Sequence, residues 1–147
     1  MIMNLREVLE HANGFAKAMG ACPRASVATY LFDDSGTRRA RAANTRFDGK
    51  CNCNDGADTL VQASSTCMAQ HSEVRALLEA AREGWYPFLE TAVVTRPPCC
   101  KCLPSLLESP IRTIVTSDEW PDRDNMAPVW RSFGREWLVV EMKKPLG

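Results

Sequence analysis

Two short segments of this chain carry side chains that could bind a metal ion and move protons. Residues 71–73 read HSE, and residues 98–102 read PCCKC. Two cysteine thiolates and an imidazole suit zinc, and three protein ligands leave its fourth position to water, as in catalytic zinc sites. Zinc lowers the apparent pKa of such a water to about 7, which gives hydroxide at neutral pH. The spacing predicts a catalytic zinc ion on His71, Cys99 and Cys102.

Glu73 follows the histidine by two residues, so the two side chains point in different directions along a helix. Its carboxylate can therefore lie beside the water instead of binding the metal. There it would take a proton from the attacking water and pass it on to a bound substrate. We expect Cys100, between the two ligands, to point elsewhere.

Each segment alone has an ordinary explanation. An isolated C-x-x-C suits structural zinc or a redox pair, and an isolated H-x-E suits a solvated helix surface. A thioredoxin-like redox pair leaves His71 and Glu73 unexplained. Taken together and in this order, with Pro98 before the first cysteine, the segments resemble the signature of zinc-dependent nucleobase deaminases.

The elements that must position these residues can be predicted from the sequence pattern. Helical patterns predict helices over 5–19, 69–83, 99–108 and 125–133. Short runs of β-branched, aromatic and apolar residues predict strands over 26–32, 37–43, 90–95, 111–116 and 136–142. The first two strands form a hairpin, and both metal-binding segments lie at predicted helix starts. A hairpin followed by alternating helices and strands predicts a three-layer α/β/α domain with a central mixed five-stranded sheet.

Length and composition limit the classes of function. A chain of 147 residues that is 45% hydrophobic buries one ordinary core, so we expect residues 1–147 to form a single domain. A formal net charge of zero argues against a stable nucleic-acid partner and is compatible with a small phosphorylated substrate. No apolar run is long enough to cross a membrane, and acidic residues interrupt the N-terminal segment, so a cytoplasmic location is expected.

Beyond the zinc motif, the N-terminal half resembles the deoxycytidylate (dCMP) deaminase family. Residues 21–28 (ACPRASVA) are similar to that family's S-x-C-x-R-x-x-V-G-A segment before its first strand. Asn44 falls where the family's G-Y-N-G loop presents an asparagine to the substrate sugar. Residues 115–120 (VTSDEW) are similar to its late strand, which ends in an aromatic residue near the base. The resemblance implies a cytidine-deaminase-like fold and a hydrolase that converts dCMP to dUMP and ammonia, with hydroxide attacking carbon 4.

Several positions depart from the family pattern. The family reads H-A-E-x-N-A, whereas this chain has Ser72 and Arg75 at the variant positions, and Trp120 stands where tyrosine is usual. Ala43 and Thr45 replace the glycines that flank the sugar-binding asparagine. These changes leave the zinc chemistry intact and keep a 5-substituted dCMP, such as 5-methyl-dCMP converted to dTMP, open as the substrate.

Substrate contacts are predicted from residue type and from the resemblance. A phosphate needs cationic donors, and the basic residues in or beside the loops around the site are Arg24, Arg46, Lys50 and Arg96. Arg24 and Arg46 have the better claim because each neighbours a family-like segment, although each could also be a solvated charge. Asn44, Ser72 and Trp120 complete the predicted set, and Trp120 either stacks on the base or belongs to the core. The resemblance and uncovered helix faces predict a homo-oligomer, either a hexamer or a dimer.

The chain has seven cysteines, an odd number for a disulfide framework. Four remain after the PCCKC segment is set aside: Cys22, Cys51, Cys53 and Cys67. Four is the number that a closed structural zinc site requires, and these cysteines bracket a long polar segment that lacks a core of its own. Some dCMP deaminases carry a second zinc in the corresponding loop. The alternatives are a second, structural zinc or four buried free thiols.

Two other classes of function stay open. One is a deaminase that acts on a base in single-stranded nucleic acid or transfer RNA, which calls for a basic binding surface. The other is a non-enzymatic zinc-stabilised binding module, in which Glu73 has no chemical role.

Overall fold

Four α-helices and five strands make up the part of the chain that the computed structural model describes, residues 3–19, 26–45, 70–120 and 126–142. The helices are α1 (Leu5–Met19), α2 (Ser72–Arg82), α3 (Leu103–Glu108) and α4 (Met126–Ser132). The strands are β1 (Ala28–Asp33), β2 (Arg38–Ala43), β3 (Leu89–Val94), β4 (Thr113–Ser117) and β5 (Glu136–Val140). This order confirms the sequence prediction. A short 3₁₀ helix, Tyr86–Phe88, was not predicted.

The strands form one mixed five-stranded sheet in the order β2-β1-β3-β4-β5. Strand β1 is antiparallel to both β2 and β3, whereas β3, β4 and β5 are parallel to one another. The carboxyl ends of β3 and β4 therefore lie at the same edge of the sheet as the amino end of β1. The segment 95–102, which carries both cysteine ligands, leaves the sheet at this edge.

Helices cover both faces of the sheet, which confirms the three-layer α/β/α prediction. Side chains alternate between the faces along each strand, as strand geometry requires. On one face, α1 packs against Tyr30, Phe32, Val93 and Val115. On the other face, α2, α3 and α4 pack against a second cluster that contains Leu31, Ala92, Val94 and Ile114. The metal-binding segments belong to this second layer of helices.

The starts of α1 and α2 show how local contacts set helix boundaries. Asn4 caps α1, because its Oδ1 accepts a hydrogen bond from the Glu7 amide at 3.2 Å. Helix α2 begins at Ser72, later than expected, because the Gln70 amide donates to the Thr45 carbonyl at 3.0 Å. This bridge holds the chain just before His71 against the end of β2.

The start of α3 differs most from the prediction. We expected Cys99 and Cys102 to lie in the first turn of a helix, but α3 begins at Leu103 and Cys102 is its N-cap residue. The amides of Cys102 and Leu103 both donate to the Cys99 carbonyl, at 3.1 and 3.0 Å. A hydrogen-bonded turn, which precedes the helix, therefore sets the distance between the two thiols.

Arg135, in the turn after α4, holds the carboxyl end of α3. Its guanidinium donates to the carbonyls of Leu106 and Ile111, both at 3.0 Å, and also to Leu107. It lies 4.9 Å from the centre of the Trp130 ring. Helix C-termini leave carbonyl groups without partners within the helix, and a cation with several donors satisfies them.

Within the described ranges, no helix is both long and apolar enough to span a membrane. The single domain and the cytoplasmic location stay predictions.

Asp33 organises the turn between β1 and β2. Its buried carboxylate accepts hydrogen bonds from the Ser35 hydroxyl at 2.6 Å and from the Arg39 Nε at 2.7 Å. The amides of Ser35 and Thr37 donate to the same carboxylate. These donors, with Ser35 first and Arg39 next, hold the pKa of Asp33 well below its usual range.

Asp33→Ala is expected to lower the free energy of unfolding by about 2–3 kcal/mol at pH 7, because it leaves these donors without their acceptor. The native carboxylate binds its proton less tightly than the unfolded one, so this stabilisation is complete above about pH 5 and declines as the pH falls below about 4. Urea unfolding of both proteins between pH 2 and 7 measures it. Asp34→Ala, at the exposed neighbour, should change stability by less than about 0.5 kcal/mol. If the difference in unfolding free energy between the parent and Asp33→Ala did not change with pH, the role given to the Asp33 carboxylate would be wrong.

Candidate metal and catalytic site

His71, Cys99 and Cys102 meet at one point. Each of the three residues offers one ligand atom, a ring nitrogen from His71 and the Sγ atom from each cysteine. These three atoms lie within 4.8 Å of one another. The His71 Nδ1 is 3.0 Å from the Cys102 Sγ and 3.5 Å from the Cys99 Sγ. Ligands of a tetrahedral zinc ion at about 2.0–2.3 Å stand roughly 3.5–3.8 Å apart. The three side chains therefore have the chemistry, and nearly the spacing, that zinc requires.

These side chains lie at or just before the starts of α2 and α3. His71 is the N-cap residue of α2, with extended backbone (φ −65°, ψ 145°), and its ring makes no capping hydrogen bond. The ring is turned towards the cysteines instead. His71 is exposed, Cys99 is half-buried and Cys102 is buried, so the cluster opens to solvent on the histidine side.

Hydrogen bonds and burial shift the pKa values of all three side chains in the cluster. Hydrogen bonds from the Cys102 thiol and the His71 imidazole lower the pKa of Cys99 to about 3. The same contact with Cys99, followed by burial, raises the pKa of Cys102. The hydrogen bond with Cys99 also raises the pKa of His71. The lowered pKa favours the thiolate form of Cys99, which is the form that binds a metal ion. A cation taken up by the cluster would displace protons from the other two side chains.

Glu73 lies in the first turn of α2, next to the ligand histidine. Only 4% of its surface is exposed, and this burial raises the pKa of its carboxyl. The Ser72 hydroxyl donates to the Glu73 Oε1 at 2.9 Å. The Ser72 Oγ also lies 2.8 Å from the Thr29 Oγ1. A buried carboxylate beside a metal-binding cluster is the arrangement that proton transfer at such a site needs.

The structure gives Ser72 and Asn44 specific partners. Ser72 is fully buried, and its hydroxyl lies between Thr29 and Glu73. Asn44 ties the strand ends together, because its Oδ1 accepts from the Val27 amide at 2.8 Å. The next residue bridges to the chain just before His71. Substrate contacts by Asn44 and Ser72 stay predictions.

Arg75 and Trp120 mark the departures from the family pattern. The Arg75 Nη1 donates to the Ala43 carbonyl at 2.9 Å and so fastens α2 to the end of β2. Trp120 is 42% exposed and lies after β4, with the Arg96 guanidinium 4.8 Å from its ring centre. Of the two sequence-based alternatives for Trp120, this exposure favours an open aromatic surface over a core position.

Seven candidate residues lie outside the described part of the chain. They are Arg24, Arg46, Lys50, Cys22, Cys51, Cys53 and Cys67. Phosphate binding and the second zinc therefore stay predictions. Sequence reasoning missed Thr29, whose place in a strand pattern carries no sign that it contacts Ser72. Only the packing of α2 on β1 brings the two hydroxyls together.

The described fold is similar to solved deaminase structures. A dCMP deaminase from the cyanophage S-TIM5, in complex with dCMP and dUMP, superimposes with a TM-score of 0.72 at 17% identity, over 95% of this chain and 99% of that chain. A guanine deaminase from Nitrosomonas europaea gives 0.56 at 20% identity, over 93% and 74% of the chains. A deaminase that edits adenosine to inosine at the wobble position of transfer RNA gives 0.50 at 17% identity, over 90% and 97%. At these identities the similarity establishes the cytidine-deaminase-like fold alone.

Sequence comparison identifies the family. No curated protein sequence matches the chain significantly. Residues 3–118 match the family described as the cytidine and deoxycytidylate deaminase zinc-binding region. This match includes every member of the His71, Cys99 and Cys102 cluster, and it spans most of the chain. The protein therefore belongs to the zinc-binding cytidine and deoxycytidylate deaminase family.

Proposed function

We propose that this protein hydrolyses dCMP, or a 5-substituted dCMP such as 5-methyl-dCMP, to dUMP or dTMP and ammonia. The observation that carries the proposal is the convergence of one imidazole and two thiols beside the buried carboxylate of Glu73. The choice of a deoxycytidine monophosphate is supported by the resemblance of residues 21–28, Asn44 and residues 115–120 to the dCMP deaminases. The fold of a dCMP deaminase in complex with dCMP and dUMP is compatible with it.

His71, Cys99 and Cys102 would hold the zinc ion, which when bound supplies the Lewis acidity that activates water for attack. Glu73 accepts a proton from the attacking water and delivers it to N3 of the cytosine ring. It then carries a second proton to the amino group at carbon 4. The new bond joins carbon 4 to the water oxygen, and the bond to nitrogen breaks as ammonia leaves. Ser72 holds the carboxylate during both transfers.

The charge of the chain favours a free nucleotide over a nucleic acid. Its formal net charge is zero, whereas non-specific binding of a strand depends on an excess of cations. The similarity to guanine and transfer-RNA deaminases makes those substrates the rival outcomes of an assay. Self-association as a hexamer or a dimer stays a prediction.

Ammonia release from the zinc-loaded protein tests the substrate directly. The panel contains dCMP, 5-methyl-dCMP, dCTP, cytidine, guanine, single-stranded DNA and transfer RNA. We expect turnover of dCMP or 5-methyl-dCMP, with kcat/KM at least about 10-fold above that of cytidine, because the phosphate contributes binding energy. Turnover of guanine or a nucleic acid, with none of either mononucleotide, would overturn the proposal. A stoichiometry near two zinc ions per chain would support the second site, and a value near one would remove it.

A further inference from the structure

A line of hydroxyl groups connects the central sheet to the carboxylate of Glu73. The Thr29 Oγ1 lies 2.8 Å from the Ser72 Oγ, which lies 2.9 Å from the Glu73 Oε1. Thr29 and Ser72 are both 0% exposed, and Glu73 is 4% exposed. The line therefore runs through the interior, where water does not replace a missing partner.

The single proton of the Ser72 hydroxyl determines which group donates in each hydrogen bond of this line. The Ser72 hydroxyl donates to the Glu73 Oε1, and a hydroxyl has a single proton to donate. The Ser72 oxygen can then only accept in its contact with Thr29, and Thr29 is the donor. Each hydroxyl thereby fixes the orientation of the next group.

Thr29 is well suited to be the fixed end of the line. It lies in β1, which pairs on both sides, and stands opposite Ala42 of β2 and Val94 of β3. A β-branched side chain in a strand also has few accessible rotamers. Glu73, in contrast, has a long side chain at the start of a helix, and rotation about its bonds would move the carboxylate unless a partner held it.

We propose that Thr29 is a positioning residue that acts through Ser72 to hold the carboxylate of Glu73 in its proton-transfer position. This inference rests on the function proposed above. It explains why two hydroxyls occupy the interface of α2 and β1, where apolar side chains of similar size would be nearly neutral for stability. The two hydroxyls therefore contribute more to the orientation of the Glu73 carboxylate than to the stability of the fold.

Thr29→Val removes the hydroxyl and keeps the shape of the side chain. We expect it to lower kcat about 10-fold with KM changed less than about 2-fold, since small displacements of a catalytic group reduce the rate steeply. Ser72→Ala should have a similar effect. Thr29→Val should add nothing in the Ser72→Ala background, because Thr29 acts only through Ser72. Thr29→Ser, which restores the donor, should recover kcat to within about 2-fold of the parent.

Tyr30→Phe is the matched control. It removes the hydroxyl of the next residue in β1, which faces α1 on the opposite side of the sheet and contacts the His11 Nδ1 at 2.6 Å. It should leave kcat unchanged. Three results would overturn the inference: equal effects of Thr29→Val in both backgrounds, no recovery with Thr29→Ser, or a loss that resides in KM alone.

Crystal structures of the zinc-loaded parent and Thr29→Val separate this inference from the proposed function. We expect the Ser72 hydroxyl to turn away from Glu73 in the variant and the carboxylate to rotate. An unmoved carboxylate that still accepts from Ser72 would overturn the positioning role, whatever the substrate is. If the parent deaminates no mononucleotide, the proposed substrate is wrong, and the structures still decide the role of Thr29.

Discussion

Glu73→Gln is expected to lower kcat for dCMP deamination by about 10³-fold, because an amide cannot carry the protons that the reaction moves. The variant should still bind zinc, since Glu73 is not among the three ligands of the cluster. Its thermal stability should stay equal or rise, because the substitution replaces a buried carboxylate with a neutral group of the same shape. Steady-state kinetics, zinc content and thermal melting measure the three effects on one preparation.

Glu83→Gln is the control for this prediction. It makes the same chemical change at the exposed carboxyl end of α2. Its activity should match that of the parent. Full activity of Glu73→Gln would mean that this carboxylate has no chemical role in the reaction. The non-enzymatic binding module would be supported if neither the parent nor the variant turned over any substrate.

Removal of one of the two thiols in the cluster should lower activity at least as much as Glu73→Gln does. Cys102→Ala is expected to lower the zinc content by one ion per chain, whether the parent holds one or two. Activity should fall below detection, because water in the site then has its ordinary pKa. Cys102 is the buried member of the cluster, so the melting temperature should also fall. Metal analysis and thermal melting detect the loss without any substrate.

Cys100→Ala provides a matched comparison within the same short segment. Cys100 is exposed and lies between the two ligands, outside the cluster. Its substitution should leave zinc content and activity unchanged. If Cys102→Ala kept its full zinc content while Cys100→Ala lost an ion, the ligand assignment would be wrong.

The grouping of His71, Cys99 and Cys102 was predictable because residue type and spacing are typical of a metal site. An imidazole, a carboxylate and two thiols at these spacings fit few sites, and the structure brings the three metal-binding side chains together. Short runs of β-branched, aromatic and apolar residues likewise predicted the strands of the sheet, since such side chains suit a buried pleated surface. The roles of the site residues stay predictions until the variants are measured.

Contacts between distant parts of the chain were not predictable. Thr29 and Ser72 meet only because α2 packs on β1, and no local pattern encodes that contact. The turn before α3 depends on two backbone hydrogen bonds to the Cys99 carbonyl, which residue type alone does not predict. The local sequence around Arg135 does not indicate that its guanidinium binds the carbonyl groups of α3.

The contacts of Arg135 connect the last part of the chain to the helix that follows Cys102. The family match ends at residue 118, yet Arg135 holds the helix that follows Cys102, and Trp137 lies in the same core. Strand β5 also pairs along the whole of β4. The sequence that identifies the family is thus shorter than the sequence that supports its ligands. Substitutions after residue 118 are therefore expected to perturb the segment that carries Cys99 and Cys102. A fragment that ends at residue 118 would lack the contacts that support α3.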